Sequence, residues 1–530
     1  MSARKVAVIG LDAADWEFLD PWIRAGDLPN IARLVEEGAR GPLASTLPPF
    51  SGPAWATFMT GLDPGGHGLF DFVMEDPRTG RPVLARSDLV AGRTLWEAAA
   101  AAGRRSVVVN VPVTWPPRPF EGLLVTGMLT PKGKPFAHPP SLVDEIRSSL
   151  PGYRCDLDVE LKAEPESLKA QLDDIAFQNL GLMRMLLRRG PWDLFVGVFT
   201  TTDRAKHLFW GERETFVRDH YRKVDRAVGE LLAEVGPEAL VVLLSDHGFH
   251  SVRTKFYMNR WLRERGWLAV RPEGPAEPAG EGERDLQKGL EVFMKPARTR
   301  KGLLARLFGR RDEEVGLEVD PAGTRAYLYS AWTNGVKVNL RGRGPGGTVE
   351  PGPEYERLRD EIIAGLREFR FPGTDGPLFD WVGRREEAYR GPRLEWAPDV
   401  VTRSDGFRVV CGKNLDEGRL LRRSEHDSGA HSDTGILVLR GPGVEKGAPL
   451  RGARIADIMP TVLWGMGLEV PGGLDGRVLV DAFTEEAKAQ NPIRTSAATA
   501  REGAGDPSAG SFDAADEEEL RKTLEGLGYI

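Results

Sequence analysis

Acidic and imidazole side chains follow the apolar runs of this sequence. Asp12 comes directly after VAVIGL, and Asp203 lies just beyond DLFVGVF. Asp246 and His247 follow the run LVVLLS. In an open α/β sheet the carboxyl ends of parallel strands meet at one edge, where ligands bind. Gathering several unneutralised carboxylates there would be costly, and cations remove that cost, with imidazoles as suitable ligands for zinc or similar ions.

Two further histidines extend this set of candidate ligands. His207 follows Asp203 by four residues, so one helical turn places both side chains on the same face, where they can chelate one ion. His431 comes just before the apolar run TGILVL. It reaches the same edge either if that strand runs antiparallel or if the preceding loop crosses over.

Ser51 is the candidate nucleophile. It precedes a short helical pattern, Pro53–Met59, which predicts that Ser51 is the N-cap of a helix. Helix N-termini favour anions, and a serine there can meet a phosphate group while a metal ion lowers the pKa of its hydroxyl.

These motifs occur in one order along the chain. The order is Asp12, the segment PPFSGPAWATFMTGLDPGGHG around Ser51 with Thr60-Gly61 and His67-Gly68, the pair Asp203/His207, Asp246-His247-Gly248, and His431. The series resembles the type I phosphodiesterase/nucleotide pyrophosphatase family of the alkaline phosphatase superfamily, over about residues 1–250 and 400–480. The resemblance implies a phosphoric ester hydrolase that cleaves phosphodiesters or nucleotide pyrophosphate bonds in preference to monoesters.

The resemblance also implies a division of metal ligands. One ion takes Asp203, His207 and His431. The other takes Asp12, Asp246, His247 and the Ser51 oxygen. Two divalent ions, with zinc expected before manganese or iron, stabilise the attacking and leaving oxygens while Ser51 forms a phosphoserine intermediate.

The sequence departs from the family pattern at two positions. The family often has asparagines where this chain has Ala54 and Phe72, and those amides help to hold a phosphate oxygen. Lys206, Asp71 or a backbone amide after Ser51 are the candidates to replace them. Trp55 is a further candidate substrate contact, by stacking.

Other functions compete with this interpretation. A sulfatase has a similar nucleophile segment, but Trp55 stands where sulfatases have an arginine. A phosphomutase shares the superfamily fold, but its serine context differs. A non-catalytic alternative is a metal-binding protein that docks on membrane surfaces through residues 295–311, KPARTRKGLLARLFGRR, which combine basic residues with an apolar face.

The elements that must position these residues can be read from the apolar runs. Four runs rich in β-branched residues predict buried strands: Lys5–Leu11, Ser106–Val113, Asp193–Phe199 and Ala239–Leu244. Helical patterns at Pro29–Glu37, Leu89–Ala102 and Ser167–Leu187 lie between them. Alternating strands and helices predict an α/β fold with a doubly wound, mostly parallel sheet, and the resemblance implies that this sheet is of alkaline phosphatase type.

Composition changes predict the domain boundaries. Residues 1–250 and 400–485 form the predicted metal-dependent core, to which the strand Thr434–Leu439 belongs. Residues 251–399 form a predicted insertion that caps the site and sets specificity, with a hairpin over Ala326–Leu340 and a helix over Glu354–Phe369. Residues 486–530 are predicted to be a flexible tether followed by a short helix, Ala514–Leu527.

Composition bounds the setting of the protein. The formal net charge of −7 argues against a nucleic-acid scaffold as partner. The resemblance implies a small-molecule phosphate ester as the substrate. With two cysteines, Cys155 and Cys411, no disulfide framework is implied, and a cytoplasmic location is the expectation. The first apolar run ends at Asp12, too early for a signal segment, and no run of about 18 apolar residues predicts a transmembrane helix.

Overall fold

A computed structural model gives the fold of the chain. It describes residues 5–157, 164–272, 317–330, 333–344, 346–371, 373–404, 408–413, 415, 419–499, 512 and 514–526. Two compact units divide the chain. The first comprises Met1–His67, Arg86–Phe249 and His431–Thr523, and the second comprises Gly68–Ala85, His250–Ala430 and Leu524–Ile530. These boundaries differ from the predicted ones, because 68–85 and 400–430, which the sequence assigns to the core, belong to the second unit.

A nine-stranded sheet forms the centre of the first unit. In chain order its strands are β1 (Val6–Leu11), β2 (Ala39–Ala44), β3 (Ser106–Val111), β4 (Gly122–Thr126), β5 (Ala137–His138), β6 (Leu194–Phe199), β7 (Leu240–Leu244), β8 (Thr434–Arg440) and β9 (Ala453–Arg454). In space they lie in the order β9-β2-β8-β7-β1-β6-β3-β4-β5. Strands β7, β1, β6, β3 and β4 are mutually parallel, whereas β8 and β5 run antiparallel to their neighbours. The predicted α/β fold with a mostly parallel sheet is confirmed.

The central strands are buried along their whole length. Every residue of β1, β3, β6 and β7 is buried, as the β-branched runs predict for strands that are covered on both faces. The observed strands match the predicted runs to within two residues at each end.

Helices account for most of the connections. In the first unit they are Trp16–Arg24, Pro29–Glu37, Ser51–Thr60, Pro64–His67, Leu95–Ala101, Leu142–Ser149, Pro165–Arg188, Thr201–Phe209, Arg218–Val235, Ile458–Gly465 and Glu485–Gln490. The helix predicted over Leu89–Ala102 begins only at Leu95, because Thr94 forms a capping box with Glu97. A further helix spans Ala514–Gly526, close to its predicted bounds.

The remaining elements lie outside the large sheet. The helices there are Met258–Glu264, Pro353–Arg367 and Arg385–Ala388, and the strands are Val73–Glu75, Pro82–Leu84, Gly248–Phe256, Val270–Pro272, Leu317–Val319, Ala326–Ser330, Gly335–Val338, Trp381–Arg384, Val400–Arg403, Val409–Cys411, Leu421–Ser432, Val470–Gly472 and Thr495–Thr499. The predicted hairpin is present, since Ala326–Ser330 and Gly335–Val338 pair antiparallel.

The start of the predicted tether differs from the expectation. Residues 485–490 form a helix that begins where the Thr484 hydroxyl accepts a hydrogen bond from the Ala487 amide, and Thr495–Thr499 pairs with Val470–Gly472. Local capping and strand pairing therefore order a segment whose composition suggested flexibility. The basic segment 295–311 lies outside the described residues. Among the described residues, no helix is both long and apolar enough to cross a membrane.

Candidate active site

Parallel strands of the central sheet deliver four of the candidate ligands to one edge. Asp12 follows β1 directly, and Asp246 and His247 follow β7 after one intervening residue. Asp203 lies in the first turn of the helix Thr201–Phe209, which begins just after β6. Because β7, β1 and β6 are parallel, their carboxyl ends lie at the same edge, as the sequence predicts.

Two strands that flank this parallel set bring Ser51 and His431 to the same edge. Strand β8 is antiparallel to β7, so the residues before its start, including His431, lie at the carboxyl end of β7. Strand β2 is antiparallel to β8, so its carboxyl end also points there and leads into the helix that begins at Ser51. Of the two routes open to His431, the antiparallel strand is the one that the structure uses.

One group of ligand atoms gathers around the Asp203 carboxylate. Its Oδ1 lies 3.3 Å from Nε2 of His207 and 3.4 Å from Nε2 of His431. The two imidazole nitrogens lie 2.8 Å apart. Ligand atoms around a tetrahedral zinc ion, with bonds of about 2.0 Å, are separated by roughly 3.3 Å. The three donor atoms therefore have the spacing of ligands to one ion.

A second group of ligand atoms surrounds Nε2 of His247. Asp246 Oδ2 lies 3.2 Å from this nitrogen and Asp12 Oδ1 lies 3.7 Å from it. The Ser51 hydroxyl oxygen lies 3.1 Å away on another side. His247 also has a ligand atom within 4.8 Å of those of Asp203 and His431, so the two groups adjoin.

Each carboxylate in the cluster uses its two oxygens differently. Asp12 Oδ2 accepts a hydrogen bond from the Trp55 indole at 3.0 Å, and Asp246 Oδ1 accepts one from the Ala13 amide at 3.2 Å. Their other oxygens, which face His247, have no hydrogen-bond partner in the described part of the chain. The two oxygens of Asp203 also have different surroundings.

Arg204 donates to Asp203 Oδ2 at 3.1 Å, while Oδ1 faces the histidines. A buried carboxylate oxygen without a donor is expensive unless a cation meets it. The arrangement therefore fits divalent cations.

Backbone carbonyls fix the orientation of two of the histidines. Nδ1 of His247 donates to the Gly248 carbonyl oxygen at 3.1 Å, and Nδ1 of His431 donates to that of Pro49 at 3.1 Å. With the proton on Nδ1, the lone pair of Nε2 points into the cluster. This is the usual outer-shell arrangement of metal-binding histidines.

The electrostatics of the cluster reflect the crowding of charge. Burial raises the pKa of Asp246 to about 7, and burial together with the carboxylates of Asp246 and Asp203 raises the pKa of Asp12 well above its usual value. For Asp203, burial is outweighed by His207 and His431, which hold its pKa well below the usual range. Burial, reinforced by His247, lowers the pKa of His431. Without cations, keeping all the carboxylates of the site ionised would cost free energy.

Ser51 occupies a different helix position from the predicted one. Phe50 is the N-cap, and Ser51 is the first residue of the helix. The Ser51 hydroxyl lies 3.1 Å from Nε2 of His247, so it faces the second group of candidate ligands. Ser51 is fully buried beside the second group of ligands.

The three predicted substrate contacts have other partners. The buried indole of Trp55 donates to Asp12, so its polar atom holds a ligand carboxylate. Lys206 is buried and donates to the Ala13 carbonyl at 2.8 Å, and burial lowers its pKa to about 8. Asp71 belongs to the second unit, where it accepts a hydrogen bond from the Phe72 amide, and is not among the residues that the first unit brings together.

Comparison with known proteins identifies the family. The model of the type I phosphodiesterase/nucleotide pyrophosphatase family matches residues 6–301. The chain belongs to this family. It is accordingly a phosphoric ester hydrolase of a metal-dependent family, and its cluster of acids and histidines could bind metal. No curated protein sequence gives a significant match.

Solved structures of low sequence identity share the fold. Phosphonoacetate hydrolase from Sinorhizobium meliloti 1021 is 16% identical, with a TM-score of 0.54 over 87% of this chain and 96% of that chain. Human ectonucleotide pyrophosphatase/phosphodiesterase 5 is 12% identical, with a TM-score of 0.52 over 91% of this chain and 100% of that chain. The alkaline phosphatase PafA is 14% identical, with a TM-score of 0.52 and the same coverage.

Proposed function

We propose that this protein hydrolyses phosphate esters through a phosphoserine at Ser51, with two divalent ions held by the clustered acids and histidines. Phosphodiesters and nucleotide pyrophosphate bonds are the preferred substrates, ahead of monoesters. The proposal rests on the orientation of the carboxylates of Asp12, Asp203 and Asp246. In each, one oxygen accepts a hydrogen bond from a protein donor, and the other oxygen faces the imidazoles.

The proposed ligand sets follow the two groups of donor atoms. Asp203, His207 and His431 would hold one ion, which is most simply zinc, with manganese or iron as alternatives. Asp12, Asp246, His247 and the Ser51 oxygen would hold the other. Such ions neutralise buried carboxylates, lower the pKa of a serine hydroxyl and stabilise the charge that develops on phosphoryl oxygens.

The chain's own residues supply the remaining chemistry. The Ser51 hydroxyl gives up its proton to water, its oxygen attacks phosphorus, and a new Oγ–P bond forms. The P–O bond to the leaving group breaks, and the leaving oxygen keeps the electron pair and takes up a proton from water. Water then cleaves the Oγ–P bond, which releases phosphate or a phosphomonoester and restores the hydroxyl. Because Ser51 is the first residue of its helix, the positive end of the helix dipole also favours the anionic group.

A sulfatase reaction is disfavoured by Trp55. In sulfatases an arginine at this position assists the nucleophile, whereas here the buried indole donates to Asp12. A substrate panel should therefore include a phosphodiester, a phosphomonoester, a nucleotide pyrophosphate, a phosphonate and a sulfate ester. We expect turnover of the phosphate compounds and about two bound ions per chain by elemental analysis.

The Ser51→Ala variant tests the mechanism directly. It should retain its metal, since six side-chain ligands remain, but lose at least about a thousandfold in kcat. Acid-quenched wild type should carry phosphate on Ser51 by mass spectrometry. Ser45→Ala is the matched control, because Ser45 lies in the preceding loop and its hydroxyl has no hydrogen-bond partner in the described chain. Near wild-type turnover by Ser51→Ala with its metal intact would show that water attacks without a serine intermediate.

A further inference from the structure

The loops after β3 and β4 leave the sheet at the same edge as the candidate active site. Both strands are parallel to β6, directly or through their neighbour. Asn110, at the end of β3, donates to the Val198 carbonyl at 3.0 Å and lies 3.4 Å from the Thr200 hydroxyl, just before the helix that carries Asp203. The two loops are joined, since the Gly127 amide donates to the Thr114 hydroxyl.

These loops carry an aromatic and cationic surface made of Trp115, Lys132 and Lys134. The Trp115 indole donates to the Pro135 carbonyl at 3.1 Å, which fixes the ring next to the lysine pair. A surface of this composition suits a ligand that combines negative charge with a flat apolar group.

The chain itself covers this surface with an acidic strap, formed by Phe512 and the helix Ala514–Gly526. The Phe512 ring stacks on Trp115, with the ring centroids 4.8 Å apart and an interplanar angle of 14°. Asp516 lies 3.0 Å from Lys134, and Glu519 lies 3.6 Å from Lys132. Phe512 and Asp516 are buried by these contacts, at 4% and 7% exposure.

The acidic side chains of the strap are divided between two faces. Asp516 and Glu519 are three residues apart, so both fall on the docked face of the helix. Glu518 and Glu525 are exposed and lie on other faces. The docked ion pairs are only partly buried, with side-chain exposures of 65% for Lys132 and 37% for Lys134, and pairs of this kind are weak and sensitive to salt.

We propose that the acidic strap regulates access of anionic substrates to the active-site edge. When docked, it neutralises Lys132 and Lys134 and covers Trp115. When released, it leaves two cations at the edge of the sheet, which raises the local concentration of anionic esters. This inference rests on the proposed function for its effect on turnover, but docking of the strap can be measured without any substrate.

Docking is tested by hydrogen exchange on the full-length protein. The charge reversal Asp516→Lys with Glu519→Lys should speed amide exchange in the helix Ala514–Gly526 at least about tenfold. Raising sodium chloride from about 0.05 to 0.5 M should speed exchange in wild type by a smaller factor, because screening weakens the ion pairs without making them repulsive and leaves the buried Leu520 and Leu524 in place. Glu238→Lys with Glu525→Lys changes the net charge equally at exposed positions away from the docked face and should leave exchange near the wild-type rate. Equal exchange in both double variants would overturn the docking.

Kinetics test the regulatory role. At low ionic strength, the docked-face variant should lower KM for a nucleotide pyrophosphate about three- to tenfold, with kcat unchanged, relative to the control double variant. Faster exchange with an unchanged KM would show that the strap docks without controlling access, and would overturn the proposal. An absence of turnover by wild type would count against the proposed function. Hydrogen exchange would then still show whether the acidic strap docks.

Discussion

Single hydrogen bonds decide how the carboxylates of the cluster are aimed. Asp12 has two equivalent oxygens, and the Trp55 indole N–H selects one of them, so that the other must face His247. A fixed orientation reduces the entropy lost when an ion binds, and outer-shell donors of this kind typically contribute substantially to metal affinity. Trp55 thus positions Asp12 in this structure, and its contact with substrate stays a prediction.

The Trp55→Phe variant isolates this hydrogen bond. Phenylalanine keeps most of the packing but has no N–H, so we expect the ion held by Asp12, Asp246 and His247 to bind about 10- to 100-fold more weakly. Chelator competition followed by metal analysis measures this change. Trp96→Phe, at another buried tryptophan of the same unit, should not alter metal affinity. A raised KM with unchanged metal affinity would instead support the substrate contact that the sequence suggested.

The candidate metal ligands could be predicted from the sequence, whereas the groups that hydrogen-bond to them could not. Asp12, Asp203 and Asp246 stand beside apolar runs, and that position alone places them at the sheet edge. The donors that orient the cluster are a tryptophan side chain and the backbone groups of Ala13, Pro49 and Gly248. Any residue has a backbone amide or carbonyl, so residue type carries no signal for such contacts.

Strand β2 leads into the helix that begins at Ser51 and so brings Ser51 to the site. Its sequence, ARGPLA, contains Gly41 and Pro42, which are poor strand residues, and no strand was predicted there. The structure explains the glycine, because a Cβ at Gly41 would lie 2.0 Å from the Leu450 carbonyl oxygen. Close approach of two backbones favours glycine over residues with high strand propensity.

His67 forms hydrogen bonds to the helix that begins at Ser51. The His67 ring is fully buried, with Nε2 2.9 Å from the Thr57 hydroxyl and a hydrogen bond to the Pro53 backbone. Burial lowers the pKa of His67 to about 3 from its usual value of 6.5. The histidine is therefore neutral in the folded protein, while the unfolded chain takes up a proton below pH 6.5.

This difference in proton uptake predicts a pH dependence of stability. Between pH 6.5 and 3 the unfolded state binds more protons at His67, so stability falls as the pH falls, by up to about 1.4 kcal/mol per pH unit. His67→Gln keeps an amide donor and acceptor but cannot titrate. Between pH 7.5 and 5.5, wild type should lose about 1 kcal/mol more unfolding free energy than this variant, by urea titration. Parallel pH profiles would show that His67 titrates normally in the folded protein.

The two units of the molecule place their polar and charged groups differently. The first unit has a large apolar sheet with polar groups concentrated at one edge. The second unit buries a charged centre: Asp399 is fully buried and accepts two hydrogen bonds from Arg343, at 2.7 and 2.8 Å. Arg385 lies 3.2 Å away, and the Tyr355 hydroxyl and the Val338 amide also donate to Asp399, at 2.6 and 2.7 Å. The sequence does not reveal this centre, because its members are scattered over the chain between residues 338 and 399.

Removing the charge of Asp399 should loosen the second unit selectively. Asp399→Asn leaves the Arg343 side chain, which is 7% exposed, without its counterion, which should cost about 3–5 kcal/mol, whereas Arg385 keeps its ion pair with Glu386. The arginines hold the pKa of Asp399 well below its usual value against the effect of burial, so its carboxylate is ionised at neutral pH in wild type. We expect faster hydrogen exchange in Gly335–Val338 and Val400–Arg403, with the metal content of the protein unchanged.

The control for this prediction is an ion pair of the same unit that water reaches. Asp380 pairs with Arg403 at 2.7 Å, with side-chain exposures of 30% and 48%. Asp380→Asn should change stability by at most about 1 kcal/mol, because solvent screens the pair and hydrates the remaining guanidinium. Equal effects of the two substitutions on the free energy of unfolding would mean that burial does not increase the contribution of Asp399 to stability. A loss of metal in Asp399→Asn would contradict the expectation that the effect is confined to the second unit.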